Sequence, residues 1–495
     1  MPSSSEPADP VAVPERPSGE PPSIVSDLAA FVVRASFEGL SRLAVEALEI
    51  RLLDALACAY GALDAAPVDA VLEHVRDQGG IARCRLVNHG KSAPDRAALY
   101  NGALIRYLDF NDAYLAPHET CHPSDNVAAV LAVAQYAGCT GREFLTALAV
   151  AYQVQCRLSD VAPVRDRGFD HTVQGAYAVA AGAAKALRLD RAKTGHALAL
   201  AGTALNGLRV TRTGELSNWK GLAYPFMASC AVQTTLLAQR GISGPSEVFE
   251  GSGGLMQSIA GPFEIDWATE DLERVRATVL KRFNAEIHSQ SAIEGVLELR
   301  EQSGLRATDL TRLELSTFDV AYDIIGGGTA GDRHAARTKE QADHSLPYLL
   351  AVALLDGQVM PEQFLLDRIR RPDVQQLLQR ITVRADPELS RRFPAEEPCR
   401  IVARLSDGRT LRCEKDDYVG YRTRPLDWAA VRAKFDRLAG SVLDPERRDR
   451  IAHAVADLEH GTVAELTALL GPAAATSGPG VGGAQARSHR SARQN

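Results

Sequence analysis

Residues 109 to 126, DFNDAYLAPHETCHPSDN, hold four carboxylates, two imidazoles, a thiol and a phenol in a chain otherwise rich in Ala, Leu and Val. Asp109 and Asp112 stand three apart at the end of a helical run and share a face if that turn persists. Tyr114, His118 and His122 follow in a predicted loop, and Pro123 and Ser124 open the next helix. A loop held between rigid helices aims side chains into a cleft, where such groups can move protons. The blander reading pairs Asp109 locally and leaves the histidines to satisfy loop backbone. The spacing D-x-x-D-x5-H-x3-H matches no standard ligand signature, so no metal is assigned.

Four further segments carry ionisable groups. In RDRGFDHTVQGA, His171 precedes a helix and is placed to exchange a proton, with Arg165 and Arg167 facing solvent. RVTRTGELSNWKG supplies Arg209, Arg212 and Lys220, cations suited to substrate carboxylates because fixed positive charge compensates their desolvation. VLKRFNAEIHSQSAIEG places Lys281, Arg282, Glu286 and His288 at an expected domain junction. In AYDIIGGGTAGDRHAARTKEQADHSLPY, Tyr322, Asp332, Arg333, His334 and His344 surround a glycine tract. GGGTAG lacks the phosphate-loop pattern, and FEGSGGLM at 249 to 256 has no preceding strand, so both read as turns or hinges.

Helices must position these groups over most of the chain. From Ile24 to about Thr278 apolar residues recur at three- and four-residue steps, as in SRLAVEALEIRLLDALACAYGAL with Ser41 as N-cap and Gly61 near the end. The abundant Ala and Gly allow close helix contacts. Strands are predicted at LTRLELSTFDV, ITVRAD, CRIVARLSD and RTLRCEK, with one helix running through EQADHSLPYLLAVALLDG. The expectation is a mainly α protein: a helical domain at 24–278 plus 416–472, a smaller α/β domain at 279–415 acting as a lid, a disordered leader at 1–23 and a disordered tail at 473–495. The alternation is not the regular βαβ series of a dinucleotide-binding fold.

Composition narrows the function. The 495 residues are long enough for two domains, and a net charge of -7 with 6% aromatics gives no reason to expect nucleic acid. The eight cysteines are scattered without a C-x-x-C pair, which suits reduced thiols and argues against an iron-sulfur motif. The proline-rich amino terminus lacks the apolar run of a secretory signal or membrane span.

Taken in order, NGALIRYLDFND, HPSDN, RVTRTGELSNWKG, FNAEIHSQSAIEG, DRHAARTKEQADHSLPYLLAVALLDG and KFDRLAG make the chain resemble the MmgE/PrpD family over about residues 27 to 465. The resemblance implies a cytosolic homodimer with a large helical domain and a smaller α/β domain over a cleft, no cofactor, and no membrane or nucleic-acid partner. It carries active-site positions onto Asp109, His122, His171, Lys220, Lys281 and Tyr322; Arg209 and Arg212 stand beside them as substrate-binding candidates on the strength of their charge, not of the resemblance. Two departures stand out: Ala113 replaces the usual Thr, and the stretch between Tyr114 and His122 is one residue longer, with His118 in it.

The reaction that follows from the resemblance is dehydration of 2-methylcitrate, with citrate as a further candidate, to the cis-aconitate product. His122 and His171 would be the acid-base pair, Lys220 and Lys281 would hold carboxylates, Asp109 would orient, and Tyr322 would donate a hydrogen bond. Decarboxylation or epimerisation of a related di- or tricarboxylate, and noncatalytic carboxylate binding, remain as alternatives.

Overall fold

The computed structural model describes residues 23–329 and 331–472; the expected tail, and all of the expected leader but Ser23, lie outside the described residues. The chain is mainly α-helical, with a smaller α/β portion. Arg42–Gly61 is its axis: Ser41 accepts a hydrogen bond from the Ala44 N–H, and the helix is buried on nearly every side. A helix apolar all round belongs in a core. Pro94–Tyr107 and Gly141–Val161 pack against it, and Val127–Ala137, Thr172–Ala186 and Trp219–Gln239 pack in turn on these, all their apolar faces forming one cluster. Trp428–Ala439, Pro445–Ala456 and Val463–Leu469 add Val431, Phe435, Ile451, Val455 and Leu466 to that same cluster.

Small residues set the helix spacing. A Cβ on Gly182 would stand 2.8 Å from Val130 and 3.0 Å from the Ala147 carbonyl oxygen, and one on Gly175 would stand 2.5 Å from the Tyr224 ring. The second contact lets Tyr224 lie close beside the helix that His171 caps.

A separate apolar cluster, from Phe283 to Leu405, surrounds a four-stranded sheet. Its strand order is Ile381–Ala385, Leu310–Thr317, Cys399–Leu405, Thr410–Lys415; the first pair is parallel (Leu315 opposite Val383) and the others antiparallel. All four strands coincide with predicted ones. The helix Gln290–Ser303 packs on this sheet so closely that a Cβ on Gly295 would stand 2.8 Å from Ile401.

Two local expectations need correction. The predicted loop after Asp112 is a short hairpin, Tyr114 opposite Cys121 and Leu115 opposite Thr120, tied to the far junction by a bridge between Ala113 and Val279. The single helix predicted through EQADHSLPYLLAVALLDG is two, Lys339–Ala342 and Leu346–Asp356. Ser345 leaves helical geometry and caps the second helix at the Tyr348 N–H, with Pro347 in its first turn, and this break holds Asp343 and His344 in position. Among the described residues no single helix is long and apolar enough to cross a membrane.

Candidate active site

Asp109 follows the helix Pro94–Tyr107 in a left-handed conformation, φ +57°. One carboxylate oxygen accepts from Arg106 Nη1 at 2.7 Å and from Lys281 Nζ at 2.6 Å; the other accepts from Lys220 Nζ at 3.1 Å. Lys281 also donates to the Asp109 carbonyl at 2.8 Å. Burial alone would raise this carboxyl, but Arg106, Lys281 and Lys220 hold it well below the usual range. Asp343 repeats the arrangement, accepting from Lys220 at 2.9 Å and Lys339 at 2.7 Å, with His344 Nδ1 at 2.8 Å. Its carboxyl is likewise depressed, Lys220 and Lys339 overcoming the effect of burial. Asp125 behaves oppositely: burial outweighs Arg106, whose Nε is 3.5 Å away, and pushes it up to about 7. Four buried cations, Arg106, Lys220, Lys281 and Lys339, thus face two firmly ionised carboxylates. The surplus of positive charge favours an anionic ligand.

Above this floor stand the histidines. His122 leaves the hairpin just before the turn Pro123–Asn126, and its Nδ1 lies 2.7 Å from the Asp112 carbonyl. A carbonyl only accepts, so Nδ1 carries the hydrogen and Nε2 keeps the lone pair. Burial, then Arg106 and Lys281, hold His122 well below its ordinary pKa, so it is neutral. Its ring centroid is 5.7 Å from that of His171, which in turn stacks on Tyr224 at 5.7 Å. Burial also lowers His171, against the pull of Asp170, whose Oδ1 lies 3.3 Å from Nδ1. Asp170 is clamped by Arg212 through Nε at 3.1 Å and Nη2 at 3.2 Å. The Nε2 of His171 is buried without a partner among the described residues.

One narrow cavity joins Asp109, His122 and His171 to Glu119, Arg106, Arg165, Arg209 and Arg212 on one side and to Glu286, His288, Ile324 and His344 on the other. Its volume is about 50 Å³, room for a few water molecules only. A larger groove, about 440 Å³ between Val32, Phe37, Arg142 and Arg188, contains none of these groups and no histidine.

The structure therefore gathers Asp109, His122, His171, Arg209 and Arg212 at the cavity wall. It sets Lys220 and Lys281 behind Asp109, with side chains 3% and 0% exposed, and leaves Tyr322 packed against the sheet cluster while its neighbour Ile324 reaches the cavity. Ala113 is packed among Val279, Ile287 and Tyr418, and His118 is exposed on the hairpin between its strands. Sequence reasoning passed over Arg106, Glu119, Asp170 and Asp343, and left Glu286, His288 and His344 without a role. Arg106 had one usable signal, its three-residue step to Asp109 on a helix. Asp109, Asp343 and His344 also stand close enough to hold a metal ion. Their oxygens already accept from Arg106, Lys220, Lys281 and Lys339, so this donor set does not fit a further cation.

Most of the chain is matched by two models of one family: the MmgE/PrpD N-terminal domain at residues 26–268 and the MmgE/PrpD C-terminal domain at 283–460. The protein belongs to the MmgE/PrpD family. It is similar to a 2-methylcitrate dehydratase of Cupriavidus necator, 29% identical over 427 residues that cover 79% of this chain and 84% of the relative. The cis-aconitate decarboxylase of Mus musculus is 26% identical over 390 residues, covering 74% and 76%. A 2-methylcitrate dehydratase of Escherichia coli K12 is 29% identical over 365 residues, covering 68% and 72%.

Asp109→Asn should leave Arg106, Lys220 and Lys281 undercompensated and lower stability by about 3–5 kcal/mol, read from the urea unfolding midpoint. An unchanged midpoint would show that Asp109 is not the hub of this cluster.

Proposed function

We propose that this protein is a lyase that dehydrates 2-methylcitrate, with citrate as a second candidate substrate, to the corresponding cis-aconitate. The observation that carries the reading is His122: a neutral imidazole with its lone pair left on Nε2, at the wall of a cavity with surplus positive charge. Dehydration needs a base for the proton next to a carboxylate and an acid for the departing hydroxyl; His122 is the base, and His171, ring to ring with it, exchanges protons beside it. Arg209, with its side chain 19% exposed, and Arg165 receive substrate carboxylates, whereas Arg212 holds Asp170 and so orients His171. Lys220 and Lys281 act from behind Asp109, setting the charge that stabilises the enolate-like transition state. Tyr322 stays outside the contact set in this conformation. A tricarboxylate exceeds the narrow cavity, so its entry requires the α/β portion to move away. The homology to both a dehydratase and a decarboxylase keeps carbon dioxide loss as the competing outcome.

Purified protein given 2-methylcitrate, citrate and cis-aconitate should yield an unsaturated tricarboxylate with no carbon lost, resolved by mass spectrometry, and should do so in the presence of a chelator. Carbon dioxide release instead would overturn the dehydratase reading. His122→Ala or His171→Ala should lower turnover by about 100-fold or more; a folded variant with near-normal turnover would remove that residue from the role.

The acid limb of kcat/KM carries a further expectation. A lowered His122 pKa means the neutral base survives until pH falls through a value well below 6.5. The neighbouring Asp125 titrates at about 7, so an inflection there should vanish in Asp125→Asn. A protonation midpoint at 6.5 or above that persists in this variant would contradict His122 as the base.

A homodimer also fits the surface. Trp219, Phe226 and Leu237 lie on one face of Trp219–Gln239, 46%, 50% and 48% exposed, beside Leu208 at 58% and Val210 at 70%. A second copy covering this face would bury the apolar stripe next to the segment that carries Arg209 and Arg212. Solution mass should be twice that of the chain and fall to one chain in Phe226→Lys; a wild-type monomer at micromolar concentration would refute the dimer.

A further inference from the structure

A second imidazole and carboxylate face the same cavity from the α/β side. His288 Nδ1 lies 2.6 Å from Glu286 Oε1, and Glu286 Oε2 accepts the His288 backbone N–H at 2.8 Å. The ring is wedged beside Phe318 and Phe393, centroids 5.7 and 5.6 Å away, and these two phenyl rings stack at 4.3 Å. Its Nε2 is buried and has no partner among the described residues, yet His288 lines the cavity, as does Glu286. A fixed ring with one nitrogen on a carboxylate and the other unsatisfied toward a substrate site is the geometry of a proton donor or acceptor.

The environments of the histidines differ in a way that assigns direction. His122 has a backbone carbonyl on Nδ1 and stands near Arg106 and Lys281, which disfavour a protonated ring. His171 has a carboxylate nearby, but Asp170 is already held at two atoms by Arg212, with Arg209 Nη1 at 3.8 Å. The Glu286 carboxylate makes its short contact with His288 itself, and no arginine or lysine forms an ion pair with it among the described residues. Glu286 is thus committed to His288 at both oxygens, one on the ring and one on its backbone N–H, whereas Asp170 is shared between His171 and Arg212.

Resting on the dehydratase reading, we propose that His288 is the acid that protonates the leaving hydroxyl, from the cavity wall facing His122, with Glu286 as its positioning residue. The C–H bond breaks toward His122 Nε2, its electron pair becomes the new C=C bond, the C–O bond breaks, and the oxygen takes the His288 Nε2 proton to leave as water. The enzyme resets when the proton held by His122 is returned, through solvent, to His288; His171, ring to ring with His122, stands on that route.

A leaving group that needs no proton separates the acid from every other role. His288→Gln should lower kcat on the hydroxyl substrate by about 100-fold or more, while the analogue with fluorine at the hydroxyl position loses less than about tenfold. His122→Gln should lower both. Glu286→Gln should lower kcat with KM held, and Glu286→Asp should recover part of it. A misfolded variant fails on both substrates and shows a lost melting transition, so selective rescue by fluorine identifies the acid. Equal losses on both substrates by folded His288→Gln, or near-normal turnover of the hydroxyl substrate, would overturn the assignment. Wild-type protein inactive on both would instead sink the dehydratase reading, and this role with it.

Discussion

The site depends on one buried carboxylate meeting three cations. Asp109 joins Arg106 on its own helix, Lys220 from 111 residues downstream and Lys281 from 172 residues downstream. Removing such charges from water costs several kcal/mol per ion, so the arrangement persists only when every ion is paired. Lys434 extends the same logic beneath it, donating to Asp54 at 2.6 Å, to the Phe110 carbonyl at 2.7 Å and to the Lys281 carbonyl at 3.3 Å. The junction between the helical core and the α/β portion is thus fixed by ions as well as by apolar contact. Because the cations outnumber the ionised carboxylates, the same ions leave the cavity complementary to a polyanion.

Small side chains make the pairing possible. Gly175 lets Tyr224 approach the helix that presents His171, and Tyr224 in turn donates to Asn126 at 2.9 Å, the last residue of the turn that His122 precedes. Packing thereby holds the two imidazoles in register across separate helices. The boundary between the two family models does not follow the apolar cores: the C-terminal match runs to residue 460, past the sheet and into helices whose side chains complete the larger core. The smaller portion is therefore anchored at both ends to the body it faces, which restricts how it can swing away from the cavity.

Much of the architecture was legible because it rests on local periodicity. The three- and four-residue apolar steps gave the helices, and alternating runs gave all four strands of the sheet. The hairpin Tyr114–Leu115 with Thr120–Cys121 was not legible, since two residues per strand carry no period. The break at Ser345 did have a signal, a Ser with Pro two residues on, but the apolar spacing continues through it and hid it. Site residue types were legible within segments; pairings were not. Nothing in a sequence says that the ammonium of Lys220 will meet Asp109 and Asp343 and not a substrate carboxylate. Glu119 was passed over for a related reason: the longer loop drew attention to His118, yet the hairpin turns His118 outward and sends Glu119 inward onto the Val164 and Arg165 N–H groups.

Four histidines line the cavity, and His122, His171 and His288 differ chemically in what each Nδ1 touches, while His344 Nδ1 lies between Asp343 and Lys220 in the ion cluster. A carbonyl fixes the hydrogen of His122 without adding negative charge, and nearby cations then keep that ring neutral. A carboxylate already neutralised by arginine gives His171 orientation with little charge support. Glu286, with no arginine or lysine ion pair among the described residues, makes its short side-chain contact with the ring of His288. Enzymes that need an acid and a base at one pH separate chemically identical groups by such surroundings. Here the separation follows the architecture: the neutral ring of His122 projects from the helical body, and the ring of His288, bound to Glu286, projects from the α/β portion. Both walls meet at one narrow cavity, so the proposed base and acid reach a substrate from separate elements and away from bulk water.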